Sequence, residues 1–115
     1  MPRFLLLPRD DGTAFAAMSP AEMESIIGRY IAWSEGLKTS GRLVQSDKLR
    51  DGEGRVVTRR DGGMVVTDGP FCEVREVVGG YWIVEAADYA DAERLCAACP
   101  HLEYGTMEIR QVEVL

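Results

Sequence analysis

Residues 68–85 read Asp68-Gly69-Pro70-Phe71-Cys72-Glu73-Val74-Arg75-Glu76-Val77-Val78-Gly79-Gly80-Tyr81-Trp82-Ile83-Val84-Glu85, and their reading decides the fold. Gly69 tolerates backbone angles other residues resist, Pro70 fixes its own φ, and Asp68 can hydrogen-bond its own backbone. The three make a corner with a phenyl ring, Phe71, just past it. The corner feeds Tyr81 to Ala86, a strand apolar on both faces and therefore central in a sheet.

Upstream, the runs Arg55–Arg60 and Met64–Thr67 flank Asp61-Gly62-Gly63, which predicts a hairpin. Leu43 to Gln45 and Lys48-Leu49 suggest another strand. Ser19-Pro20-Ala21-Glu22 opens a helix: Ser19 can cap, Pro20 suits the first helical position and Glu22 completes a capping box. Met23, Ile26, Ile27, Tyr30, Ile31, Trp33, Ser34 and Leu37 follow near helical spacing, and Gly41 ends the run. Arg3 to Pro8 predicts a first strand apolar on both faces, with residues 9–18 as a loop. Downstream, Asp88 can cap a second helix from about Tyr89 to Cys99, which Pro100 ends. Thr106 to Leu115 is the last strand. There Met107 and Ile109 face one way, and Glu108, Arg110, Val112 and Val114 the other.

The chain has 115 residues, one domain's worth, and a net charge of −6. No cluster of Lys and Arg offsets that acidity, which argues against nucleic acid and against anionic membrane surfaces as partners. The N-terminal apolar run is far too short for a signal h-region or a membrane span. Three cysteines, Cys72, Cys96 and Cys99, fit no disulfide framework. Reduced thiols in the cytoplasm are the expectation.

The element order is strand, helix, strand, hairpin, strand, helix, strand. This is the split βαβ pattern of an α+β, ferredoxin-like antiparallel sheet with two helices on one face and a hairpin insertion. No helix remains for the other face. An apolar face of several hundred Å² is more than soluble monomers usually expose. A homodimer packed sheet to sheet, enclosing a cavity, is expected.

Asp68-Gly69-Pro70-Phe71, Glu73, Glu76, Gly79-Gly80-Tyr81, Cys99-Pro100, Tyr104-Gly105 and Glu108-Ile109-Arg110 occur in an order that resembles the YCII-related proteins. More narrowly, they resemble the branch marked by Asp-Gly-Pro-Phe. The resemblance implies a dimeric α+β barrel. It also implies kinship with small lyases, isomerases, monooxygenases and dehalogenases that often need no cofactor. Some members are proposed to use a histidine–aspartate pair. With Leu37-Lys38-x-x-Gly41-Arg42-Leu43 setting the register, their helix-one histidine falls at Tyr30, and the only histidine here is His101. Many relatives in this branch are encoded beside alternative sigma factors, which adds a regulatory, non-catalytic module as the alternative.

Each candidate residue carries a plainer reading. Asp68 offers a general base or ligand-binding carboxylate beside Phe71, or simply a turn former. Glu73 and Glu76, three apart on an extended segment, point to opposite faces, which suits solvated or salt-bridged roles better than paired acid–base work. Glu108 and Arg110 share the face turned from the helices. They can orient a polar substrate, with Arg110 on a carboxylate or phenolate, or form a structural ion pair. Trp82 and Tyr104 offer an aromatic wall for a ring-shaped ligand, or ordinary core filling. Cys96-x-x-Cys99-x-His101, with Cys72, has the outline of a metal site. Helical cysteines three apart are more often small buried hydrophobes, so no metal or other cofactor is assigned. The expected function is binding a small polar or aromatic molecule between two copies, with a cofactor-free lyase, isomerase or dehalogenase-like step as its catalytic form.

Overall fold

A computed structural model describes residues 1–69 and 76–115. The Phe71 corner, with Cys72 and Glu73, lies outside the described residues. The main sheet is antiparallel and is built on β1 (Arg3–Asp10). Along one edge β1 pairs with β7 (Thr106–Gln111), from Phe4↔Gln111 to Arg9↔Thr106. Along the other it pairs with β6 (Gly80–Glu85), with Leu5 opposite Ile83 and Leu6 opposite Trp82. The short β5 (Val77–Val78) continues that second edge, with Arg9 opposite Val78. The register slips by one residue between them, at Gly79, whose N–H donates to Pro8 O. Outside β6 lies β2 (Leu43–Lys48), with a register shift between Leu43 and Gln45. The lateral order is therefore β2, β6 with β5, β1, β7.

Two helices cover one face. α2 (Pro20–Thr39) starts at the expected capping box, with Ser19 and Glu22 exchanging side-chain-to-backbone bonds. α3 (Tyr89–Cys96) is capped by Asp88, whose carboxylate accepts from Asp91 N at 2.8 Å. Phe4, Leu6, Val84, Met107 and Ile109 meet Trp33 and Leu37 of α2 and Ala92, Leu95 and Cys96 of α3 in one apolar core. Arg42 ties this layer to β2: its Nη1 donates to Glu85 O at 3.0 Å and to Asp91 Oδ2 at 2.8 Å.

Several expectations are corrected. β1 runs on to Asp10, and a short α1 (Thr13–Ala16) occupies the expected loop. The helix after Asp88 stops at Cys96, and Cys99 instead caps a 3-10 turn at Pro100–Glu103. The last strand ends at Gln111, so Val112 and Val114 are not part of it. Ile27 and Ile31, part of the run near helical spacing, lie on the outer side of α2 at 48% and 58% exposure.

The hairpin is where the sequence places it. β3 (Arg55–Arg60) and β4 (Gly63–Asp68) form a separate two-stranded sheet. Asp61 and Gly62 both have positive φ, 49° and 78°, as a type I′ turn requires. The hairpin stands off the body, and the Cα radius of gyration, 16.2 Å, exceeds the roughly 13 Å of a compact chain this long.

The Arg42 bond and a second bond from Ala87 N hold the Asp91 carboxyl down, at about 2 against an ordinary 3.8. A depressed carboxylate stabilises the fold above its unfolded pKa, and that contribution is lost as the pH falls through the folded value. Between pH 4 and pH 2 the chain should lose urea resistance, and Asp91→Asn should flatten that part of the profile. An unchanged acid limb in the variant would contradict the assignment.

Candidate functional site

Alternation along the strands sorts the candidate residues onto two sides of the sheet. Phe4, Leu6 and Pro8 point to the helices, while Leu5, Leu7 and Arg9 point away. Partners directly opposite in an antiparallel sheet share a face. Leu5 is opposite Ile83 and Arg110, and Leu7 is opposite Glu108, so all five lie on the open face. Gln45 and Asp47, opposite Ile83 and Tyr81, join them from β2.

The open face has an apolar floor and two polar borders. Leu5, Leu7, Leu49, Val78, Tyr81 and Ile83 line a shallow depression of about 300 Å³. On the β7 side Arg9 Nε donates to Glu108 Oε1 at 2.8 Å. That bond holds the Glu108 carboxyl below its ordinary range. Arg110 is held loosely: its Nη1 lies 3.4 Å from Glu108 Oε2 and its side chain is 69% exposed. Glu108 is thus satisfied by Arg9, which leaves the Arg110 guanidinium fork open to a second anion. On the β2 side the Tyr81 hydroxyl donates to Asp47, and Gln45 Nε2 bonds both Asp47 Oδ2 and Tyr81 Oη. This lowers the Asp47 pKa and raises that of Tyr81.

The other aromatic candidates lie on the helix side. Trp82 stacks with Tyr30, 6.4 Å between centroids, and meets Trp33 edge-on at 4.9 Å. Its indole donates to Ser34 Oγ at 2.8 Å. Tyr104 packs on Phe15 of α1. Tyr30 reaches His101, 2.7 Å from Nδ1, and the other ring nitrogen lies 2.9 Å from Arg9 O. A carbonyl only accepts, so His101 donates from Nε2 to Arg9 O, and in the neutral ring Nδ1 accepts a hydrogen bond from the Tyr30 hydroxyl. Burial pushes the Tyr30 phenol up, consistent with a donor that stays protonated.

His101 is 3% exposed with both ring nitrogens engaged, which leaves no lone pair for a metal. Cys96 and Cys99 are buried thiols. Desolvation pushes Cys96 up to about 11, and Cys99 upward as well. Among the described residues no group of His, Cys, Asp and Glu is placed to hold a metal ion.

Asp68 closes the foot of the hairpin, 92% exposed, with Arg55 Nη1 at 3.1 Å from Oδ1. Glu76 accepts a long bond from Thr106 Oγ1 at 3.4 Å. Phe71 lies outside the described residues. The structure therefore brings Glu108 and Arg110 together, sets Trp82, Tyr30 and Tyr104 on the opposite side of the sheet, and leaves Asp68 apart from both. Arg9, Asp47, Tyr81 and Leu7 belong to the open face and were not singled out in the sequence. Extending strict alternation from β7 through β1 and β6 would have found most of them.

The chain is thus a small α+β protein with one helix-covered and one open sheet face. It belongs to the YCII-related family, whose domain profile matches residues 3–115. No curated protein matches it. No helix is long and apolar enough to cross a membrane among the described residues.

A Cβ on Gly105 would stand 2.1 Å from Arg9 O and 2.8 Å from His101 Nε2. Gly105→Ala must therefore displace the His101–Arg9 bond, and should lower stability by about 2 kcal/mol or more in urea unfolding, of the order of a broken buried hydrogen bond. Tyr30→Phe, which only orphans Nδ1, should cost about 1–3 kcal/mol. Native stability in both variants would remove His101 as the bolt between the 3-10 turn and β1.

Proposed function

We propose that two copies of the chain pack their open sheet faces together, and that the space between them binds a small molecule with an apolar or aromatic body and one anionic group. The observation that carries this is the floor of Leu5, Leu7, Leu49, Val78, Tyr81 and Ile83 bordered by the loosely held Arg110. The floor supplies the apolar contact, and Arg110 supplies a two-pronged donor for a carboxylate or phenolate. Glu108 orients that guanidinium and is itself held by Arg9.

The finer fold assignment belongs to the same reading: a ferredoxin-like half of a dimeric α+β barrel, in the Asp-Gly-Pro-Phe branch. It is supported by the lateral strand order and by the residues at 68–71. In the catalytic form, a cofactor-free lyase, isomerase or dehalogenase-like step, Asp68, at the foot of the hairpin, is the carboxylate assigned as base. Tyr30, Trp82 and Tyr104 are assigned to packing on the helix side. The buried, free Cys96 and Cys99 suit a cytoplasmic protein.

Small aryl and alkyl carboxylates and phenols should raise the melting temperature of the native chain. Arg110→Ala should abolish the rise, and Lys38→Ala, at the end of α2, should keep it. Asp68→Ala should keep the binding shift while abolishing any turnover of a ligand so found. A panel that never shifts the native protein, or shifts Arg110→Ala equally, contradicts the site.

A further inference from the structure

Among the described residues the β3–β4 hairpin pairs with no further strand of its own chain. A lone two-stranded hairpin is marginal in water. This one carries apolar residues on both faces: Val56 and Val65 on one, Val57, Met64 and Val66 on the other. The second set is exposed at 60%, 70% and 48%. Solvent is a poor lasting environment for such a ribbon.

Three observations point to the same occupant. The hairpin is rooted at the open-face floor: the chain leaves that floor at Leu49 to enter β3 and is back on it at Val78. Its charge opposes that of the whole molecule. Three arginines against two aspartates lie within Arg55–Asp68, in a chain of net charge −6. Among the described residues only Arg55 of those arginines meets a carboxylate, which leaves Arg59, on the face of Val57, Met64 and Val66, for an acidic surface. Finally, the sheet face alone is small. Four lines of about six residues, at about 4.8 Å between strands and 3.4 Å per residue, cover roughly 400 Å² in plan. A stable interface buries about 800 Å² on each partner.

We propose that the β3–β4 hairpin is an arm that packs on the second copy of the chain, at the border of the shared sheet interface, and buries Val57, Met64 and Val66 there. This rests on the sheet-to-sheet dimer proposed above. The arm enlarges that interface and walls one side of the space between the sheets. Arg59, on the same face as Val57, Met64 and Val66, meets the partner's surface, and its charge favours contact with a net-negative molecule.

The test is hydrogen exchange over residues 55–68 of the full chain, above and below its dissociation constant, with sedimentation equilibrium on the native protein and Val57→Asp/Val66→Asp. Hairpin amides should be protected in the dimer and lose at least tenfold protection on dilution. The double variant should dissociate at least tenfold more readily while keeping the near-ultraviolet signal of Trp33 and Trp82. Met64→Ser, a milder change on the same face, should move both readouts in the same direction. A native dimer whose hairpin exchanges equally fast at both concentrations, with unchanged dissociation in the variants, overturns the arm and leaves the dimer standing. The same holds if protection persists undiminished on dilution, which would place the hairpin on its own chain, or appears only when another protein is added. A native chain that is a monomer at micromolar concentration overturns the arm together with the dimer.

Discussion

The structure depends on β1 being apolar on both faces. Phe4, Leu6 and Pro8 alternate with Leu5 and Leu7, and both edges of the strand are hydrogen-bonded to neighbours. An antiparallel sheet can leave one face to water, but apolar residues on both faces of its central strand favour cover for both. α2 and α3 cover one of them. Among the described residues no helix lies over Leu5, Leu7 and Ile83, and the proposed second copy would cover them. The proposed assembly and ligand site both rest on this one imbalance.

Polar groups border the uncovered face in a way that makes it usable. A wholly apolar surface would associate without leaving an oriented site. Here Arg9 satisfies Glu108, and Glu108 only steers Arg110. An exposed ion pair contributes little to stability, so Arg110 adds little to the fold through Glu108. The opposite side of the sheet shows the contrasting use of polar groups. There Tyr30 and Arg9 O engage both ring nitrogens of His101, and Gly105 is required because any side chain would enter that contact. That cluster fixes a turn against a strand end.

The element order was legible because local chemistry set it. Ser19-Pro20-Ala21-Glu22, Asp61-Gly62 and Asp88 each satisfy or bend backbone groups within a few residues, and each forms as read. The side of the sheet taken by Glu108 and Arg110 was legible for a similar reason, since period-two alternation survives in a regular strand. The long-range consequences were less so. Trp82 and Arg110 look alike as cavity candidates until the β6–β1–β7 register puts them on opposite faces. His101 resembled a metal ligand by spacing, and only the fold brings Tyr30 and Arg9 O to its two nitrogens. Ile27 and Ile31 fit a helical stripe, yet a sheet of this width covers only part of α2. Arg9 was hidden by the turn-forming residues Asp10, Asp11 and Gly12, since the strand runs two residues past its expected end at Pro8.

Whether a second copy covers the open face is decided most directly by the mass in solution. Light scattering at micromolar concentration should give twice the chain's 12.7 kDa. Leu7→Asp, which puts a charge at the centre of the floor and leaves the helix-side core untouched, should give the mass of one chain. A native protein that scatters as a single chain, or a Leu7→Asp variant that remains paired, would contradict the account.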